Sequence, residues 1–376
     1  MRVLVDGVYF QLAHNGISRA WSSILSRLID IPEVEVVVLD RGDCPDLPGC
    51  RKIAFPSYTA TSTPADSLLI DRIAATIRAD VFLSTYFTTP VTLPSVLVMQ
   101  DAPMKVPGDE RRARLLQERE LAIGHARHYL CLTARARAEI VQLSHGLRED
   151  RVVTTHCGVD ERLFHPRQRT EIAVCLRTHD IAEPYVVVLP SFRDVSTDGG
   201  GAITRAVEAL GSTIVCVGRL GKLLGGAARP DHPAVQTFDP DGDDLARLYA
   251  GAEAAILDPD AEFGAPGLEA MACGCPVLPI WGDLVDDGSS TATLRVGVDG
   301  TMIEKAIVRA REPTERTQLV EAGYERAASF NWDRVVQDLH RRLKAAADER
   351  GTPAMRHFFE EWKRLRSIQT EVDTLV

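Results

Sequence analysis

Residues 262–280 read EFGAPGLEAMACGCPVLPI. Gly264, Pro266 and Gly267 mark a loop, because glycine frees the backbone and proline fixes it. The run GLEAMAC then has helical character, Gly274 makes a second turn, and PVLPI is an apolar strand. A loop that opens a helix directs unpaired N–H groups outward, at the positive end of the helix dipole. Glu262 and Glu269 flank that loop. On a first turn near Pro266 or Gly267, Glu269 has two available roles. It can stabilise the helix terminus by about 0.3–1 kcal/mol, or accept hydrogen bonds from a sugar diol, since each carboxylate oxygen takes two donors.

Working outward, the same alternation of strand and helix recurs along the chain. MRVLVDG, VEVVVLD, ADVFLST, PSVLVMQD, YLCLT and DRVVTT read as strands in the first half. Helical spacing appears at Ile17, Trp21, Ile24, Leu25 and Leu28. After residues 165–184, where no strong period is visible and prolines stand at both ends, YVVVLPSF restarts the pattern. Continuous Val/Ile/Leu strands alternating with helices predict parallel sheets covered on both faces. With 376 residues, the chain exceeds one usual core, so two doubly wound α/β domains are expected. We place them at 1–166 and 167–331, followed by C-terminal helices at 332–376 that pack back toward the first domain.

Composition excludes other classes. Hydrophobic content of 45% and charged content of 26% are those of a globular domain, not of a disordered or coiled-coil chain. A net charge of −10 argues against nucleic acid as the main partner. Eight scattered cysteines without a C-x-x-C pair indicate a reducing compartment. No metal site is expected, the Cys273–Gly–Cys275 pair included. No apolar run is long enough to span a bilayer, and no leader segment is recognisable after MRVLVDG, so a cytoplasmic location is expected.

In open parallel sheets ligands bind beyond the carboxyl ends of the strands. Four stretches lie there. Gly16, in DGVYFQLAHNGISR, precedes a helix and lets a backbone N–H approach a phosphate. Arg193 precedes the glycines of STDGGG, and an arginine forks onto phosphate oxygens. Arg219 and Lys222 follow the strand TIVCVGR. The fourth stretch is the 262–269 loop. Each also reads as a turn, a surface loop or solvated charge.

Taken in order, these segments resemble the retaining GT-B glycosyltransferases of family 4. EFGAPGLEAMACGCPVL is similar to that family's Glu–Gly–Phe–Gly–x–Pro loop and following helix. TTHCGVDERLFHP is similar to its inter-domain segment, and NGISRAWSSIL to its N-terminal glycine loop. The resemblance spans roughly residues 1–345. It implies two Rossmann-like domains facing a cleft, a nucleotide-diphosphate sugar of UDP or GDP type as donor, and no cofactor. It further implies that the loop from Glu262 through Phe263, Gly264, Ala265, Gly267 and Leu268 holds the donor sugar, while Glu269 binds the ribose. Arg193 matches the arginine that neutralises the diphosphate.

The sequence departs from the family at four points. Ala261 stands at the first glutamate position, displacing the carboxylate to Glu262. STDGGG offers no second-domain lysine, so Lys222 is the substitute. Leu83 and Gln100 replace two histidines. Asp101, after a strand of the first domain, is the remaining polar candidate on the acceptor side. The expected activity is sugar transfer with retention to a saccharide or lipid-linked acceptor, in cell-surface polysaccharide, lipopolysaccharide or glycoconjugate synthesis. An inactive GT-B-like binding or scaffold protein, and another GT-B sugar-transfer or epimerase activity, are the alternatives. Residues 105–151 carry Lys105 and nine arginines against seven acidic residues, interleaved with Leu115, Leu116, Leu121 and Ile123. That pattern fits either a core helix with a solvated face or peripheral contact with the anionic inner membrane face.

Overall fold

The computed structural model describes residues 1–13, 16–59, 64–99, 109–143, 147–189, 197–217, 235–238, 240, 242–257, 265–279, 291–294, 296 and 300–375. They form two units, Met1–His156 with Trp332–Val376, and Cys157–Asn331.

In the first unit the described strands are β1 (Arg2–Asp6), β2 (Glu35–Asp40), β3 (Arg51–Ala54), β4 (Val81–Ser84), β5 (Ser95–Met99), β6 (His128–Cys131) and β7 (Val152–Thr154). They form one parallel sheet in the order β3-β2-β1-β4-β5-β6-β7. Its helices are α1 (Val8–Leu12), α2 (Gly16–Ile29), α3 (Pro64–Ile77), α4 (Asp109–His125) and α5 (Ala134–Leu143). The strands at 2–6, 35–40, 81–84, 95–99 and 128–131 sit where continuous apolar runs predict them. Two elements carry no such signal. Strand β3 (RKIA) lies at the sheet edge with no buried residue, and α1 is only five residues long, too short for a helical period to show.

The second unit opens with α6 (Arg169–Thr178) and continues through β8 (Tyr185–Leu189), α7 (Thr197–Ala209), β9 (Thr213–Val217), β10 (Val235–Phe238), α8 (Gly242–Gly251), β11 (Ala255–Leu257), α9 (Ala265–Ala272), β12 (Val277–Pro279), α10 (Gly300–Arg311) and α11 (Pro313–Ala328). The sheet order is β10-β9-β8-β11-β12, again parallel. Successive side chains of a strand face opposite ways. Accordingly Tyr185 and Val187 join the core shared with Leu245, Leu248 and Leu268, whereas Val186 and Val188 join the core shared with Ala206, Ile303 and Ile307. One strand thus supplies both layers, which is why it reads as an unbroken Val run.

The stretch 165–184, which shows no strong period in the sequence, contains a regular helix. Gln168 and Glu171 form a capping box at the start of α6. Ile172, Cys175 and Leu176 are buried at the three–four spacing of a helix face. Val159 and Phe164 are also buried in this second core, so residues 157–166 pack with the second unit.

Helices α12 (Trp332–Glu349) and α13 (Pro353–Leu375) return to the first unit. Helix α12 packs on α2 and on β4, β5 and β6, through Val335, Leu339, Leu343 and Ala346. Helix α4 also turns its apolar side inward, since Leu115 and Ile123 are core residues and Arg119 pairs with Glu139. Helix α13 lays Phe358, Phe359 and Trp362 around His125, with ring centroids 5.8, 6.4 and 5.0 Å away.

His125 is fully buried. Its Nδ1 lies 2.7 Å from Ser95 Oγ, and its Nε2 has no hydrogen-bond partner among the described residues. Burial, helped by the fields of Arg366 and Arg127, pushes its pKa down to about 3. The unfolded chain takes up this proton near pH 6.5, and the folded chain refuses it until about pH 3. The contribution of His125 to stability should therefore be level above pH 7 and fall as pH drops below 6.5, by up to about 1.4 kcal/mol per pH unit. Thermal melts from pH 7.5 to pH 4 should show a shallower decline for His125→Gln. Equal slopes in the two proteins would contradict the neutral buried imidazole.

Candidate functional site

In the second unit the strand order reverses between β8 and β11, which pair at Val187↔Ala255 and Leu189↔Leu257. A reversal of this kind opens a crevice at the carboxyl ends of the two strands. The chain leaving β8 next forms α7, and the chain leaving β11 next forms α9. Two helix N-termini, each the positive end of a helix dipole, thus follow neighbouring strands at one sheet edge.

Helix α9 begins at Ala265, earlier than Pro266 or Gly267. Glu269 is therefore its fifth residue, beyond the first turn, and is only 5% exposed. Glu269 is thus not a first-turn charge but a buried carboxylate on the helix that follows the switch-point strand β11. Its negative field reaches one turn along the helix. The Cys273 thiol is pushed up first by burial, then by Cys275 and Glu269. Burial likewise pushes Cys275 up to about 12, so both groups are protonated thiols packed in the core.

The neighbouring residues serve the same placement. A Cβ on Gly267 would stand 3.0 Å from Leu257 Cδ1, so glycine lets α9 lie close on β11. Leu268 is a core residue, and Ala265 is half-buried. Gly274 adopts a φ of +80°, in the left-handed region that favours glycine. A Cβ there would run into the Tyr324 hydroxyl of α11. Gly16 lies in the first unit, at the start of α2, where a Cβ would meet only Arg19 Nη2 at 3.8 Å. Asp101, Arg193, Arg219, Lys222, Glu262, Phe263 and Gly264 lie outside the described residues.

The first unit has a reversal of its own, between β1 and β4, and there the structure assembles a polar network that sequence reading missed. Arg41, just past β2, grips Asp6 at the end of β1 with two hydrogen bonds, Nε to Oδ1 at 2.7 Å and Nη2 to Oδ2 at 2.8 Å. Both side chains are fully buried. Arg41 Nη1 reaches Asp66 Oδ2 at 2.9 Å, and its guanidinium lies 4.5 Å from the centre of the Phe55 ring. Burial opposes its charge, but the hydrogen bonds and fields of Asp6 and Asp66 outweigh it and raise the Arg41 pKa. Thr88 donates to Asp6 Oδ2 at 2.8 Å, and the Thr85 hydroxyl donates to the Asp6 carbonyl at 2.8 Å. Half-exposed Tyr9, Tyr58 and Tyr86 gather beside the network, Tyr86 lying 6.2 Å from Tyr9 and 5.9 Å from Tyr58 between ring centres. The only advance sign was an aspartate ending a buried strand. Its partner stands 35 positions away.

No protein-family model matches this chain. The structure is similar to sucrose-phosphate synthase of Thermosynechococcus elongatus, with a TM-score of 0.68 and 16% identity over 92% of this chain and all of that one. It is also similar to Anabaena HepE in complex with UDP-glucose, with a TM-score of 0.65 and 16% identity over 92% of this chain and all of that one. The chain has the GT-B fold. Among curated proteins, a D-inositol 3-phosphate glycosyltransferase of Geodermatophilus obscurus is 32% identical over 124 residues, which is 30% of this chain and 25% of that protein. A D-inositol 3-phosphate glycosyltransferase 1 of Catenulispora acidiphila is 26% identical over 287 residues, 66% of this chain and 65% of that protein. The matched stretch spans a quarter of the length of the first relative and about two thirds of the second.

Within this GT-B chain the turn at Gly274 fixes where α9 ends and β12 begins. Gly274→Ala adds the left-handed penalty of about 1–2 kcal/mol to the contact with Tyr324. Denaturant unfolding should show a loss of that size or more. Unchanged stability would mean that the turn does not hold α9 in place.

Proposed function

We propose that this chain is a retaining glycosyltransferase of family 4, moving a sugar from a UDP- or GDP-type donor to an acceptor hydroxyl. The observation that carries the proposal is Glu269, a carboxylate only 5% exposed on the helix that follows the switch-point strand β11. A nucleotide sugar suits a carboxylate at that edge, because its ribose hydroxyls are donors while its phosphates suit the helix N-termini. The similarity to inositol-phosphate glycosyltransferases, and to a fold that in HepE holds UDP-glucose, supports the same reading.

The chemistry then divides among the residues. As the bond from C1 to the leaving phosphate breaks, positive charge grows on the sugar ring and negative charge on the phosphate. The N-termini of α7 and α9 stabilise the phosphate charge, with Arg193, Arg219 and Lys222 as the side-chain contributors. Glu262, Phe263 and Gly264 hold the sugar, and retention requires the acceptor oxygen to end on the face the phosphate left. The first unit takes the acceptor. Asp101 receives its hydroxyl, and the faces of Tyr9, Tyr58 and Tyr86 suit the C–H surface of a saccharide. The product is a cell-surface polysaccharide, lipopolysaccharide or glycoconjugate made in the cytoplasm. A lipid-linked acceptor at the inner membrane face would draw on the basic charge of 105–151 and on exposed Leu116, since Leu115 and Ile123 are core residues.

A thermal-shift panel of UDP-, GDP- and ADP-sugars tests the proposal, because a ligand of the native state raises its melting temperature. One nucleotide class should stabilise the wild type. Glu269→Gln exchanges a charge-assisted acceptor for a neutral amide, a loss of about 1.5–3 kcal/mol or roughly 10–150-fold in affinity. Silence across the panel would favour a scaffold protein. An unchanged affinity in the variant would reduce Glu269 to a packing role.

A further inference from the structure

Away from the nucleotide edge, the second unit brings together three donors that no sequence motif connects. Cys175 and His179 stand one helical turn apart at the end of α6, and Asp244 lies in the first turn of α8, which packs on α6. One donor atom from each residue lies within 4.8 Å of the others. His179 Nε2 is 2.7 Å from Asp244 Oδ2, and Cys175 Sγ is 4.0 Å from the Asp244 carbonyl oxygen. Asp244 follows His179 by 65 positions, which is why linear spacing gives no hint of the cluster.

We propose that Cys175, His179 and Asp244 bind a divalent transition metal of the Zn(II) type, clasping α6 to α8. Thiolate, imidazole and carboxylate together are the ligand types that Zn(II) accepts, and three protein ligands leave a fourth position for water. Bonds of about 2.0–2.3 Å place tetrahedral donors roughly 3.3–3.8 Å apart. The cluster therefore needs a contraction of about 1 Å on its longest side and a slight opening between His179 and Asp244. The i, i+4 placement on one helix is the spacing by which two ligands reach a single ion.

The surroundings support the placement. Arg247 Nη1 donates to Asp244 Oδ1 at 2.8 Å, which fixes the carboxylate with Oδ2 turned to His179. An outer partner of this kind orients a ligating carboxylate. Arg247 and Arg167 bring positive charge close by, and both also pair with Asp243. Cys175 is buried, while the side chains of His179 and Asp244 are 26% and 21% exposed, so an ion can enter from solvent. On binding, the Cys175 thiol releases one proton to solvent, and the proton that His179 Nε2 donates to Asp244 is replaced by the ion, leaving a neutral imidazole with its proton on Nδ1. The competing account is an interhelical hydrogen-bond network with no ion. The clasp is independent of the sugar-transfer reading.

Titration of chelator-treated protein with Co(II) distinguishes the two. One equivalent should produce the near-ultraviolet charge-transfer band of a cobalt thiolate, which Zn(II) then abolishes, and Zn(II) should raise the melting temperature. Cys175→Ser should lose the band. His179→Gln, at a half-exposed position that leaves the core intact, should weaken Co(II) binding by about 10-fold or more. No thiolate band at stoichiometric Co(II) would overturn the proposal. So would a band that persists in Cys175→Ser, or an unchanged affinity in His179→Gln.

Discussion

In the second unit the strand order turns back between β8 and β11, and a parallel sheet that reverses there cannot cover its own carboxyl edge. The rest of the site depends on that constraint. It requires one crossover to leave on each side of the reversal. Helices α7 and α9 are therefore carried to opposite layers, one packing with α10 and the other with α8 and α11, while both begin from adjacent strands. Their N-termini are the fixed positive ends of the fold, available to phosphate without any side chain being spent.

Within that frame Glu269 is the costly element. A carboxylate with 5% exposure loses hydration that hydrogen bonds have to replace. Close packing positions the helix that carries it: Gly267 against Leu257, Leu268 in the core, and Gly274 turning tightly under Tyr324. The glycines of the 262–280 stretch that the structure describes thus act first as packing devices. In the first unit the fully buried Asp6 is compensated by Arg41 with two hydrogen bonds.

Much of the fold was legible because doubly buried strands leave unbroken apolar runs, as in VLV at 3–5 and VVV at 186–188, and because Trp21, Ile24, Leu25 and Leu28 keep helical spacing. The failures have physical causes. Strand β3 buries none of its residues, so its composition carries no strand signal. Helix α6 presents only Ile172, Cys175 and Leu176 to the core, a face too short to register against its charged neighbours. Of the site, the loop glycines and Glu269 were visible as a local motif. The Asp6–Arg41 pair and the Cys175–His179–Asp244 cluster exist only through tertiary contact, between residues whose separation in the chain encodes nothing.

The central claim is that the second unit holds a nucleotide sugar with its ribose on Glu269. A crystal structure of the protein with UDP, or with the nucleotide that stabilises it best, tests this most directly. The account predicts ribose hydroxyls within hydrogen-bond distance of the Glu269 carboxylate and phosphates over the starts of α7 and α9. Nucleotide bound only to the first unit, or a ribose turned away from Glu269, would contradict it.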